Sequence, residues 1–188
     1  MKQYKQFLGQ KTQAYDLLKF LKEHGIDVSI PINIEQIIEY LNIPYKVNPD
    51  FRSIKITGSI SLKDNEPFIW VNPMKNTNKE RKRFTLAHEL GHFMLHMAPL
   101  EDFSRFNPIN DLNISFNRDD NWDYVEMEAN NFAAQLLMPS EYIKKETKNI
   151  IRDNQNITKE ELVEKLSNIF QVSKIAMEYR LAKLGVKL

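Results

Sequence analysis

Residues 88–92 of the chain read His-Glu-Leu-Gly-His, inside a segment whose apolar residues Leu86, Leu90 and Phe93 recur at helical spacing. Side chains four apart leave a helix from the same face, so His88 and His92 point together and two imidazoles reach one ion. Thr77 or Asn78 is placed to cap this helix, which runs to about His96 with Pro99 just beyond it. The chain contains no cysteine, which excludes a thiolate metal site, a disulfide scaffold and a cysteine nucleophile together. Any metal must therefore use His, Asp or Glu. Zinc suits imidazole and carboxylate ligands in a tetrahedral site, and a catalytic site keeps one position for water. Glu89, between the histidines, is then the candidate general base, taking a proton from the attacking water and passing it to the leaving amine.

A His-His-Glu site needs a carboxylate from another element. Asp123 is read as the cap of a later helix, in which Val125, Ala129, Phe132, Ala133, Leu136 and Leu137 form an apolar face that Pro139 closes. Glu126 and Glu128 both lie on it, but two residues on a helix are separated by roughly 200°, so only one faces the metal. Glu126, one turn before Ala129 on the core-facing side, is favoured over Glu128. Asn130, four residues after Glu126, is placed to accept the free N–H of a ligand histidine. His96 falls roughly 80° past the direction of His88 and is expected to pack or hydrogen-bond there, not to bind metal. Tyr124, Tyr179, Arg180 and His96 are candidate oxyanion donors, and the spacing selects none of them.

The remaining pattern predicts helices on both sides of a small sheet. Ala14, Leu17, Leu18 and Leu21 mark a first helix stopped by Gly25, and Asn33 caps a second that ends before Pro44. Alternation over Ser53–Leu62 and Phe68–Val71, joined by an Asp64-Asn65 turn, predicts a small antiparallel sheet packed on the His88–His92 helix. Ala98–Trp122 is rich in Asn, Asp and Pro without a sustained period and reads as a long loop. Ser140 starts a further helix, Thr158 with Glu161 has capping-box spacing, and Ser173 caps a last helix stopped by Gly185. The helix, sheet, helix order predicts an α+β fold. At 188 residues the expected organisation is a metallopeptidase domain over 1–140 and a helical segment over 141–188 packed on it. A formal charge of +1 gives no general reason for nucleic-acid binding. The polar start and the lack of a long apolar run predict a cytosolic chain with no membrane span.

Three segments resemble the ImmA/IrrE metallopeptidases of bacteria and their mobile elements. Arg83-Phe-Thr-Leu-Ala-His-Glu-Leu-Gly-His92, with Leu95-His96 behind it, is similar to that family's active-site helix. Glu126-Met-Glu-Ala-Asn130, continuing to Leu136-Leu-Met-Pro139, resembles its second signature, and Phe170 to Gly185 resembles its carboxy-terminal helices. The spacing Glu126-x-x-Ala-Asn130 is also similar to the Glu-x-x-Ala-Asp pattern of gluzincins. The resemblance implies a zincin-like fold with zinc on His88, His92 and Glu126, and with Glu89 as base. It further implies action beside a helix-turn-helix repressor, cleaving it or otherwise relieving repression after stress or DNA damage. Two alternatives share these residues: a toxin–antitoxin component, and a non-proteolytic regulator that binds a partner protein or DNA. Val172-Ser173 followed by Lys174, Arg180 and Lys183 resembles the start of a recognition helix, although Ile175, Ala176, Leu181 and Leu184 are expected to pack it on the core.

Overall fold

The His-Glu-Leu-Gly-His segment forms the last turns of a helix around which the rest of the chain is assembled. The computed structural model describes residues 2–50, 55–100 and 120–186. A short 3-10 turn at Gln3–Phe7 precedes α1 (Ala14–Glu23) and α2 (Ile34–Tyr40), which are followed by strands β1 (Tyr45–Val47), β2 (Gly58–Lys63) and β3 (Glu66–Val71). Next come α3 (Lys79–His92) with a π-helical turn at Phe93–Met97, then α4 (Asp120–Leu137), α5 (Ser140–Asp153), α6 (Lys159–Phe170) and α7 (Lys174–Lys183). The architecture is the α+β, zincin-like arrangement expected from the residues.

Most helix starts follow from side-chain caps. The Oδ1 atoms of Asn33 and Asn78 accept the N–H groups of Gln36 (3.1 Å) and Arg81 (2.8 Å), so Asn78 and not Thr77 begins α3. Thr158 and Glu161 make both bonds of a capping box, and Ser173 Oγ accepts the Ala176 N–H. Helix α4 begins at Asp120, so Asp123 lies inside it and is not its cap. Of the long Ala98–Trp122 loop, residues 101–119 lie outside the described residues, as do 51–54 of the first expected strand.

Strands β2 and β3 pair antiparallel from Gly58↔Val71 to Lys63↔Glu66, and Asp64 and Asn65 both take positive φ in the connecting turn. The sheet is mixed and not wholly antiparallel as expected, because β1 adds in parallel to the other side of β3. Strand β3 buries Pro67, Ile69 and Val71 on one face. That face joins a core with Leu86 and Leu90 of α3 and with Phe132, Ala133 and Leu136 of α4. Burying each large apolar side chain contributes about 1.5–3 kcal/mol.

Helices α3 and α4 pack closely at Gly91. A Cβ there would lie 3.2 Å from the Ala129 carbonyl oxygen and 3.1 Å from Phe132 Cδ1. The carboxy-terminal helices are tied back by two buried arginines: Arg83 of α3 donates to the carbonyls of Phe170 and Gln171, and Arg180 of α7 donates to that of Met138. Met177 and Leu181 of α7 are buried, but Ile175 is not packed on the core and is 66% exposed. No helix among the described residues is long and apolar enough to cross a membrane. Overpacking at Gly91 costs about 1–3 kcal/mol against a helix-propensity gain of about 1 kcal/mol. Gly91→Ala is therefore expected to lower stability by about 1 kcal/mol, read as a lower urea midpoint with unchanged slope.

Candidate metal centre

Helix α3 delivers His88 and His92 one turn apart, and α4 brings Glu126 across to them. The donor atoms of these three side chains all lie within 4.8 Å of one another. His88 Nε2 and His92 Nε2 are 2.9 Å apart, and Glu126 straddles them, Oε2 at 3.2 Å from the first and Oε1 at 3.2 Å from the second. Zinc with bonds of about 2.0–2.1 Å holds tetrahedral ligands about 3.3 Å apart, so the donor set fits the ion with adjustments of a few tenths of an ångström. His88 Nδ1 lies 3.1 Å from Asn130 Oδ1, which accepts its N–H and leaves Nε2 bare toward the convergence point.

The electrostatics separate the two carboxylates. Burial raises the Glu126 pKa, but the close His88 and His92 imidazoles outweigh it and hold the group well below the usual carboxylate range. Burial likewise opposes a charged His88, yet Glu126 and Glu89 together raise its pKa; for His92, burial prevails and lowers it. Glu89 is buried, and burial pushes its carboxyl up to about 7, against the pull of His88 and of a hydrogen bond from the Ile60 N–H. A carboxyl poised near neutrality suits a group that must both accept and return a proton.

Strand β2 presses directly on Glu89. A Cβ on Gly58 would lie 2.9 Å from Glu89 Oε1 and 2.5 Å from the Thr85 methyl, so only glycine allows the strand this close. Side chains hold the approach in place: Thr85 Oγ1 donates to Asn76 Oδ1 (2.7 Å), Asn76 Nδ2 to the Thr57 carbonyl (2.8 Å) and Asn72 Nδ2 to the Ile56 carbonyl (2.9 Å). Sequence reasoning missed this network. Its one visible signal was a glycine interrupting an alternating strand.

Glu128 and His96 stand off the convergence point and meet each other. His96 Nε2 lies 3.1 Å from Glu128 Oε2, whose other oxygen takes a 2.7 Å bond from Lys11 Nζ, and His96 Nδ1 lies 3.2 Å from His92 Nδ1. Among the oxyanion candidates, His96 and Arg180 are engaged in these other bonds, whereas Tyr124 and Tyr179 are exposed. Tyr179 borders a groove of about 940 Å³ between α3, α4 and α7, lined also by Phe84, Asn130, Ala134 and Ala176. The groove adjoins this cluster, since Phe84 stacks on the His88 ring and Asn130 bonds it.

Two known sequence groups are similar to this chain. A peptidase family model described as the IrrE N-terminal-like domain matches residues 49–182. The "Uncharacterized immunity region protein 2" of Bacillus phage phi105 is 28% identical over 125 residues, covering 66% of this chain and 70% of that protein. Because Glu126 and not Glu128 faces both imidazoles, Glu126→Ala is expected to lower zinc content after dialysis far more than Glu128→Ala, as read by metal analysis. The reverse order would reassign the carboxylate ligand.

Proposed function

The chain belongs to the peptidase family of the IrrE N-terminal-like domain, and on that premise we propose that it is a zinc-dependent endopeptidase that cleaves a helix-turn-helix repressor or similar regulatory protein. The observation that carries this reading is the convergence of His88, His92 and Glu126 beside a buried glutamate. A closed structural zinc site has no use for a base next to the metal, so the buried Glu89 favours an enzyme over a non-proteolytic regulator.

His88, His92 and Glu126 would hold the ion, and two imidazoles with one carboxylate are a donor set of catalytic zinc. A divalent cation bound there supplies polarisation of the scissile carbonyl and acidification of a water molecule. Glu89 takes a proton from that water as its oxygen bonds to the carbonyl carbon. The same carboxyl then gives the proton to the amide nitrogen as the C–N bond breaks, so that water is divided between the two products and Glu89 is regenerated. The strand at Gly58 and the Ile60 N–H keep the Glu89 carboxylate in place during both transfers.

The groove between α3, α4 and α7 gives a polypeptide substrate room beside the ligands. The phage relative is described as an immunity region protein, and that description supports a regulator of gene expression as the substrate. In this reading 1–140 carries the chemistry, 141–188 contributes one wall of the groove, and the protein works in the cytosol beside its target. Glu89→Gln is expected to keep its zinc and fold while cleavage falls by at least about 100-fold. The assay incubates each protein with repressors encoded beside it, with and without chelator, and follows one defined cut. Equal cleavage by Glu89→Gln would remove the mechanism.

A further inference from the structure

We propose that His96 is a positioning residue for the second metal ligand, the middle link in a chain of hydrogen bonds donated from His92 through His96 to Glu128, whose other oxygen accepts from Lys11. The inference rests on the metal centre proposed above and deepens it. The direction of each bond follows from the atoms available. A carboxylate has no proton to donate, so in the 3.1 Å contact between His96 Nε2 and Glu128 Oε2 the imidazole carries the proton. A neutral His96 protonated on Nε2 has a bare Nδ1, which is an acceptor. The 3.2 Å contact between His92 Nδ1 and His96 Nδ1 then requires His92 to donate from Nδ1. That tautomer leaves His92 Nε2 unprotonated, and Nε2 is the atom directed at His88 and Glu126. Lys11 closes the chain by holding the remaining oxygen of Glu128 at 2.7 Å.

Two features of the backbone hold this chain in register. The π-helical turn at Phe93–Met97, marked by the Ala98 N–H bonding the Phe93 carbonyl at 2.7 Å, carries His96 itself. The segment bearing Lys11 is fastened along that turn by the Gly9 N–H on the Ala98 carbonyl and the Thr12 N–H on the Met94 carbonyl. His88 obtains the same service from Asn130 alone, whereas His92 receives it through two further side chains and a distant lysine.

The test uses the full chain and zinc alone, with affinity measured by competition against a chromophoric chelator. Partners of this kind change metal affinity about 10–100-fold, so His96→Leu is expected to weaken zinc binding by that factor. His96→Asn, whose amide oxygen can stand where Nδ1 stood, should remain within about threefold of wild type, while His96→Gln, which reaches Glu128 but offers His92 nothing, should fall with leucine. Proton–nitrogen NMR correlation spectra of the imidazoles in the zinc-loaded wild type should find the proton on Nδ1 of His92 and on Nε2 of His96. A His96 proton on Nδ1, wild-type affinity in His96→Leu, or equal losses in the asparagine and leucine variants would each overturn the proposal. If the leucine variant does not fold, the wild-type spectra decide alone. Failure of the metal centre looks different, because the wild type then binds no zinc or Glu126→Ala binds it equally well, and both readings fall together.

Discussion

Everything at the centre depends on how near α4 comes to α3. At Gly91 nothing projects, so the Ala129 carbonyl and the Phe132 ring lie against bare backbone. Glu126 sits one turn before Ala129 and reaches both imidazoles only because the two helices are that close. A wider spacing would lengthen both His–Glu contacts together, and a carboxylate cannot extend to make up the difference. Gly58 does the same on the other side, letting the sheet touch Glu89. Two absent side chains thus set the width of the site from opposite directions.

Within that narrow space the two glutamates have different surroundings. Glu126 is exposed enough to be partly solvated and faces two nitrogens, and it stays anionic. Glu89 is enclosed, with one backbone N–H and a neighbouring imidazole as its main compensation, and its carboxyl is raised toward neutrality. Burying a lone carboxylate is costly unless it is bonded or takes up a proton. The carboxylate held charged is thus the one that faces the two imidazoles, and the one poised near neutrality stands beside it.

Much of this was legible in the chain. Period and caps located α3 and α2, the Thr158–Glu161 spacing gave the start of α6, and the apolar face of α4 separated Glu126 from Glu128. What escaped notice had causes outside the local pattern. Strand β1 is three residues long, too short for alternation to register, and exists because β3 offers it an edge. The π-helical turn has no composition of its own and appears where the amino-terminal segment bonds along the helix. Asp123 has the chemistry of a helix cap, yet α4 already runs from Asp120. Ile175 has the spacing of a packing residue but lies on the open side of α7, lining the groove. Lys11 could not have been found at all, since nothing in a lone lysine shows that it meets a glutamate 117 positions away.

The recognisable part of the family covers residues 49–182, yet Gly9 and Thr12 bond along the π-helical turn after α3 and Lys11 bonds Glu128 of α4. A shortened protein trimmed to the matched span would keep His88, Glu89, His92 and Glu126. It would nevertheless lose the amino-terminal helices that contribute Leu17, Leu21, Ile37 and Ile38 to the core, together with the ammonium that neutralises Glu128. The core that supports the site therefore extends beyond the matched span.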